Sequence, residues 1–181
     1  YLTAVYVPGT GLWANYNCVN SCPDPNDSPT ISNLRQYFNT VNKSEGSWVN
    51  DSTPYFRFDL ADPDSGDPNG KVGYQIQVDN DSGFGSTVID YTWEGSTTNP
   101  NTNVKYDVES ALSNYTCYYW RVRAKDSPGL TSDWADNDNG FDLSGQDFCV
   151  DTISPTVSVL GAPADWQTSN ASASVSCSDT G

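Results

Sequence analysis

The clearest pattern in the chain is a strict alternation of residue types between positions 118 and 125. One parity is apolar and the other is mostly charged: Tyr118, Trp120, Val122 and Ala124 against Tyr119, Arg121, Arg123 and Lys125. A repeat of two residues places the two sets on opposite faces of a strand. The segment therefore predicts a half-buried antiparallel strand, which the turn residues 127–129 bring to an end.

Shorter segments elsewhere repeat this alternation. Apolar residues share one face within 55–60 and within 74–79, and further strands are predicted at 30–34, 86–93, 104–112 and 139–150. Turn residues separate these segments at the spacing of an all-β sandwich, and no helical period is sustained. We therefore expect residues 30–150 to form one antiparallel β-sandwich.

The two ends of the chain differ from this central block. Residues 1–29 begin with a short strand candidate, YLTAVYV, before a segment rich in Gly, Asn and Cys. Residues 151–181 begin like a linker and then alternate small and polar residues with Val175 and Cys177. Two strands alone cannot bury a stable core, so this last segment is expected to have open edges and an uncovered apolar face.

The strand and turn at 118–134, YYWRVRAKDSPGLTSDW, resemble those of a fibronectin type III module. In that family a Tyr-x-x-x-Val-x-Ala strand precedes a tight turn and a Ser-rich final strand. The segment 151–181 resembles the opening of a bacterial immunoglobulin-like repeat. The resemblance implies a fibronectin type III/immunoglobulin-like β-sandwich with strand-bearing extensions at both ends, and a spacer, adhesion or scaffold role.

Charge and composition narrow the function classes. The chain has 23 acidic and 8 basic residues, a net charge of −15, and no His. Such a surface repels nucleic acid and anionic membranes, and no apolar run approaches the roughly 18–20 residues of a membrane span. Without His, a zinc site or a catalytic thiol lacks its usual partner. Five cysteines among abundant Asn, Ser and Thr favour an extracellular or cell-surface protein with disulfides.

The resemblance also implies a disulfide framework. The last two strands of that fold are antiparallel neighbours, with Cys117 at the start of one and Cys149 at the end of the other, so these two are expected to pair. Cys18 and Cys22 are expected to close a local loop. Cys177 is then unpaired or bonded to another chain, including residues 18–22 of a neighbour if the local loop does not form.

One turn combines acidic residues with glycine in a way that suits calcium. The segment DPDSGDPNG (62–70) offers the oxygen ligands Asp62, Asp64, Asp67 and Asn69. Calcium takes such hard oxygen ligands, although the order is not that of an EF-hand and the terminal Glu is missing. A solvated turn is the alternative, because Asp, Asn, Gly and Pro are also the usual turn residues. A second acidic segment, 133–140, contains Asp133, Asp136 and Asp138.

Aromatic residues suggest two further features. Trp134 follows the strand that carries Arg121 and Arg123, so their guanidinium groups can stack on the indole, which we interpret as structural. Three other tryptophans would suit glycan binding if exposed: Trp48, Trp93 and Trp166. The alternative is that such rings fill a thin core.

Sequons for N-glycosylation are frequent. They occur at Asn26, Asn42, Asn50, Asn80, Asn114 and Asn170. In a chain this rich in Asn, Ser and Thr, several sequons arise by chance, so they are candidates only.

No pair of carboxylates is singled out for catalysis, so we predict that the protein is not an enzyme. The favoured function is a structural subunit or repeat of an extracellular surface protein or filament, whose partners are copies of itself. The uncharged segment YLTAVYV could be donated to the open C-terminal segment of the next copy. Alternatively, the missing strands lie further along a longer chain. A second hypothesis is a ligand- or carbohydrate-binding accessory module of a larger secreted adhesin or enzyme.

Overall fold

The computed structural model describes residues 27–64, 71–96, 98–127, 129–136, 145–161, 165, 168–170 and 172–179. Eleven strands and no helix form within these ranges. In chain order they are β1 (Thr30–Phe38), β2 (Val41–Lys43), β3 (Ser47–Val49), β4 (Tyr55–Ala61), β5 (Val72–Asp79), β6 (Ile89–Ser96), β7 (Asn101–Asp107), β8 (Thr116–Asp126), β9 (Phe148–Val150), β10 (Thr156–Leu160) and β11 (Ser174–Ser178).

Nine of these strands build two sheets. The first sheet has the order β2-β1-β4-β7 and the second the order β3-β9-β8-β5-β6. All pairs are antiparallel except β3 with β9, which run parallel with Trp48 opposite Cys149. The chain therefore passes from the first sheet to the second between β2 and β3. This is the predicted all-β, immunoglobulin-like sandwich.

The core lies between the two sheets and is rich in aromatic rings. Strands β4 and β8 bury every second residue, as their alternation predicts. Phe56 stacks on Trp120 with ring centroids 4.4 Å apart, and Phe148 packs beside both Phe56 and Tyr118. Large rings thus fill an interior that has few aliphatic residues.

A polar network lies inside this core. The fully buried Gln36 accepts a hydrogen bond from the Trp120 indole N–H at 3.0 Å and donates to the Asp147 carbonyl at 2.9 Å. The Asp147 carboxylate accepts the Trp120 backbone N–H at 2.7 Å. Each buried polar group thereby gains a partner, which offsets its desolvation. The network joins β1, β8 and the residue before β9.

The crossover between β7 and β8 is pinned by a tyrosine. The Tyr118 hydroxyl accepts a hydrogen bond from the Ser113 backbone N–H at 2.8 Å. A tyrosine at the start of this strand that bonds upstream backbone is a recurring feature of immunoglobulin-like sandwiches. Val108 and Leu112 are buried in this crossover, where their N–H groups bond to the carbonyls of Pro54 and Ser52. The strand predicted at 104–112 therefore ends at Asp107.

The last strand of the sandwich differs from its prediction. A continuous strand is predicted over 139–150; residues 139–144 lie outside the described residues, and of residues 145–150 only 148–150 are strand. Further along β8, residues 131–135 make isolated bridges, with Ala135 opposite Val122. Among the described residues, the segment that pairs with β8 is thus interrupted between residues 135 and 148. At Trp120 the backbone N–H bonds to the Asp147 carboxylate instead of to a backbone carbonyl of a neighbouring strand.

Strands β10 and β11 form a separate two-stranded sheet. Their register places Val157 opposite Cys177 and Val159 opposite Val175, so these four residues share one face. The opposite face carries mainly serine and threonine. Val157 and Val175 are 64% and 65% exposed, so the described part of the chain leaves this apolar face uncovered.

Candidate functional site

A disulfide fixes the end of the second sheet from which the chain leaves the sandwich. Cys117 and Cys149 lie directly opposite each other on β8 and β9, with Cα atoms 3.9 Å apart, and are bonded as expected. Cys177 is a free, exposed thiol. The expected loop between Cys18 and Cys22 lies outside the described residues.

Two exposed aromatic residues flank this disulfide. Trp48 lies beside Cys149 in the sheet register, and Tyr115 precedes Cys117 by two residues. Their ring centroids are 5.7 Å apart, and the residues are 57% and 62% exposed. We call this pair the aromatic rim. Trp48 is therefore exposed, as the glycan binding considered for it from the sequence would require.

The other two tryptophans that the sequence offers as glycan-binding residues differ from Trp48. Trp93 is half-buried and packs against Tyr74 with ring centroids 5.6 Å apart, so it helps to cover the core. Trp166 lies outside the described residues.

Beside Trp48, an open cleft of about 400 Å³ is lined by residues that include Val41, Lys43 and Asp151.

The chain leaves the sandwich next to the aromatic rim and is held there. The Asp151 N–H donates to the Val49 carbonyl at 2.8 Å. The N–H and hydroxyl of Thr152 donate to the Asn114 side-chain oxygen at 2.6 and 2.9 Å. The Ile153 N–H then bonds to the Asp151 carboxylate at 3.1 Å. The first residues after β9 are thus fixed to both β3 and the loop before β8.

The outer face of the first sheet carries a row of cations. Arg35 is directly opposite Arg57, and Arg57 is directly opposite Lys105, across three neighbouring strands. Like charges placed opposite each other cost stability, so such a row needs compensation. Part of it comes from Asp107, which forms an ion pair with Lys105. We call Arg35, Arg57 and Lys105 the cationic row.

Two stacked tyrosines adjoin the cationic row. Tyr37 and Tyr55 are parallel, with ring centroids 4.8 Å apart and planes at 4°. The Arg57 guanidinium carbon lies 5.7 Å from the centroid of Tyr55, and the Lys105 ammonium lies 4.4 Å from it. Such contacts favour a cation over the ring face, so the tyrosines compensate further for the crowded charge.

Arg35 is less completely satisfied. Its Nη2 donates to the Asn103 side-chain oxygen at 2.9 Å, but its buried Nε has no partner among the described residues. Burial alone would raise the pKa of nearby Asp59. Hydrogen bonds from Asn103 and Asn33, with the charge of Arg35, nevertheless hold that pKa below its usual value. Asp59 is therefore an anion at neutral pH.

The second sheet carries the predicted arginine and tryptophan stack. The guanidinium carbons of Arg121 and Arg123 lie 4.4 and 4.5 Å from the Trp134 ring centroid. Arg121 is also 4.0 Å from the ring of Phe84, so it lies between two rings. Burial, with the charge of Arg123, lowers the pKa of Arg121. The contact with Phe84 could not be predicted, because the position of this ring depends on a turn in which the φ of Phe84 is 50°.

The structure describes half of the expected calcium ligand set. Asp62 is buried and its carboxylate accepts the Asp64 backbone N–H at 3.0 Å, as in an Asx turn. The Asp64 carboxylate accepts the Asp27 N–H at 2.6 Å. Asp67 and Asn69 lie outside the described residues. Across the described ranges, no group of three or more His, Cys, Asp or Glu side chains could hold a metal ion, so calcium stays a prediction.

The structure likewise describes only some residues of the second acidic segment and only some of the sequons. Asp133 is exposed, Asp136 is buried, and Asp138 lies outside the described residues. Asn42, Asn50, Asn80 and Asn170 are exposed, whereas Asn26 lies outside the described residues. Asn114 is half-buried and its side chain already holds Thr152, so it is the least accessible of the described sequons.

The comparisons with known proteins identify the sandwich. No curated protein and no solved structure matches the chain. The family model described as the Rha78A-like, N-terminal immunoglobulin domain matches residues 38–139, which is just over half of the chain. The match supports an immunoglobulin-like fold, and the fibronectin type III subtype stays a prediction. No helix within the described ranges has the length and apolar character needed to cross a bilayer. Domains of this family are typically non-catalytic modules of larger proteins, and this chain belongs to the family of Rha78A-like, N-terminal immunoglobulin domains.

Proposed function

We propose that this chain is an extracellular structural module, arranged in tandem with a second immunoglobulin-like domain that begins at Thr156. The single observation that carries the proposal is the sheet formed by β10 and β11. Its apolar face, Val157, Val159, Val175 and Cys177, is uncovered. A sheet with one apolar face needs a second layer for stability, so these strands belong to a larger unit.

Two features support an extracellular setting. The Cys117–Cys149 disulfide joins neighbouring strands of the sandwich, and such bonds persist in oxidising compartments. The net charge of −15 keeps a module soluble in a crowded array.

The family description also supports the tandem arrangement. It names an N-terminal domain of Rha78A-like proteins, which agrees with a module that precedes another domain.

Strand exchange between copies is the assembly that we propose. The second layer could be completed by YLTAVYV (1–7) of the next copy, since this segment is uncharged and rich in β-branched and aromatic residues. Such a contact joins two different surfaces, so it propagates head to tail and makes a filament. An open sheet edge at β10 or β11 is the acceptor that this mode requires.

Deletion of residues 1–8 tests the assembly. The control replaces the same eight residues with a Gly/Ser segment of equal length, because this keeps the chain length but removes the donor side chains. We expect the parent protein to form polymers in negative-stain electron microscopy and both variants to remain dispersed. Polymers of unchanged length in both variants would refute strand exchange and leave the tandem module intact.

A second candidate function is the binding of a glycan to the outer face of the first sheet. It is favoured by the cationic row, in which three positive side chains lie side by side on the outer face. Such a cluster of like charge attracts an anionic ligand, such as the carboxylates of an acidic sugar. The stacked Tyr37 and Tyr55 would border the bound sugar.

Affinity electrophoresis with soluble polysaccharides tests this candidate. Arg57→Gln removes the central cation, and Lys71→Gln removes an equal charge at an exposed position outside the face. We expect polygalacturonate to retard the parent and Lys71→Gln, and Arg57→Gln to bind about tenfold more weakly. Equal mobility of all three proteins, with and without polymer, would exclude the binding function.

A further inference from the structure

We infer that the aromatic rim, Trp48 and Tyr115, is the docking surface for the immunoglobulin-like domain that begins at Thr156. The inference rests on the tandem arrangement proposed above and goes beyond it, because it states which residues form the junction. A junction of this kind makes the array stiff instead of freely jointed.

The length of the free tether carries the argument. Asp151, Thr152 and Ile153 are all held by hydrogen bonds to the sandwich or to one another. Only Ser154 and Pro155 separate Ile153 from the first residue of β10. Three steps of extended chain span about 10 Å, so β10 must begin close to this end of the sandwich.

The tether is also restricted in direction. Pro155 has a fixed φ, and it confines Ser154 before it to extended conformations. The domain that follows therefore leaves in a narrow range of directions. Because its first strand starts within about 10 Å of an anchored point, contact with the end of the sandwich is hard to avoid.

The aromatic rim stands beside both anchors of the tether. Trp48 precedes Val49, whose carbonyl holds Asp151, and Tyr115 follows Asn114, whose amide holds Thr152. The rim residues are more than half exposed, and Ile153 on the tether is 46% exposed. Tyr and Trp are enriched in protein interfaces, since they bury large areas with few rotatable bonds.

The backbone at Tyr115 supports a fixed position for the ring. Its φ is 54°, in the left-handed region that residues other than glycine rarely adopt. The preceding residue, Asn114, is held by both groups of Thr152. The same hydrogen bonds thus position the tether and present Tyr115 to it.

Small-angle scattering of the dispersed fraction of the full-length protein, separated from polymers by size exclusion and made in a host without N-glycosylation, tests the junction. The test variant is Trp48→Ser/Tyr115→Ser. The control is Leu130→Ser, which removes another exposed apolar residue beyond the end of β8 that is opposite to the rim. We expect the parent and the control to share one compact interdomain distance, and the test variant to show a broader and longer distribution.

Limited proteolysis of the tether gives a second measurement. Loss of two central interface residues should speed cleavage between residues 152 and 156 by about tenfold or more, while the control is cleaved at the parental rate. Unchanged scattering and cleavage in the test variant would overturn the docking assignment. Binding of a neutral oligosaccharide to the parent, measured by affinity electrophoresis and lost in the test variant while scattering stays parental, would make the rim a sugar-binding surface and overturn it too.

The thermal unfolding of the same full-length protein separates the two levels of the proposal. If residues from Thr156 onward show no cooperative transition, the tandem arrangement itself fails. If that transition is present but the aromatic variant scatters like the parent, only the docking surface fails.

Discussion

At the scale of single residues, the interior of the sandwich depends on polar partners that no local pattern reveals. Gln36, Trp120 and Asp147 are separated by 84, 27 and 111 positions, yet they share one buried network. Alternation predicted that Trp120 points inward, and this is confirmed. It could not predict that a glutamine would satisfy the indole, because Gln36 looks like any polar residue of a strand.

Gln36→Leu should therefore destabilise the fold. It removes the acceptor of the Trp120 indole and a donor to the Asp147 carbonyl, and an orphaned buried group costs about 1–3 kcal/mol. We expect the free energy of unfolding, measured by urea denaturation, to fall by about 2–3 kcal/mol. Gln75→Leu on the outer face is the control; its hydrogen bonds to Arg123 and Asp90 are accessible to water, which can replace the lost partner, so it should cost less than about 1 kcal/mol. Equal losses for both variants would contradict the role of the network.

Alkaline pH should destabilise the sandwich through two tyrosines. Burial raises the pKa of Tyr74 and of Tyr106 above the usual value of about 10. The folded state therefore favours the neutral phenol, so their contribution is complete below about pH 10 and is lost as pH rises further. Tyr74→Phe, in a Cys177→Ser background, should reduce the fall in melting temperature between pH 9 and 11. A fall as steep as that of the parent would count against Tyr74.

At the scale of elements, the long strands could be predicted and the short ones could not. β4, β5 and β8 span seven or more residues and show their alternation directly. β3 and β9 have three residues each, too few to display a period, and their parallel pairing depends on the passage of the chain between sheets. The interruption of the strand that pairs with β8, just before β9, likewise depends on a tertiary contact, the hydrogen bond between Trp120 and Asp147.

The disulfide between β8 and β9 should contribute strongly to stability. Its cysteines are 32 positions apart, and closing a loop of that length is worth about 3–4 kcal/mol on the chain-entropy account. Cys117→Ala/Cys149→Ala should lower the free energy of unfolding by about that amount in urea. Cys177→Ser is the matched control, because that thiol is free and lies on β11 outside the sandwich, and it should leave the unfolding transition of the sandwich unchanged. A double variant as stable as the control would refute this estimate.

At the scale of the whole molecule, the basic residues are concentrated on the outer faces of the two sheets. Six of the eight basic residues lie on the outer faces of the two sheets, three beside the stacked tyrosines and three along β8. Alternation within the predicted strands placed Arg57 and the three basic residues of β8 on outward faces, but it made no prediction for Arg35, which follows the strand predicted at 30–34. Their assembly into the cationic row could not be predicted, because it depends on the register between three strands that are distant in sequence.

Calcium binding would add stability to the whole module. If Asp62 and Asp64 hold the ion together with Asp67 and Asn69, calcium should raise the melting temperature and a chelator should lower it by mass action. Asp62→Asn/Asp64→Asn should abolish the response, and Asp133→Asn/Asp136→Asn tests the second acidic segment in the same way. Melting curves that coincide with and without chelator would exclude calcium as a stabiliser.

We propose above that β10 and β11 begin a second immunoglobulin-like domain. Hydrogen exchange of their backbone amides in the native, assembled protein tests it most directly, because only a covered sheet resists exchange. If a second layer covers the sheet, amides of residues 156–160 and 174–178 exchange about as slowly as those of β8. Exchange at the rate of unstructured peptide in every form of the protein would contradict the claim.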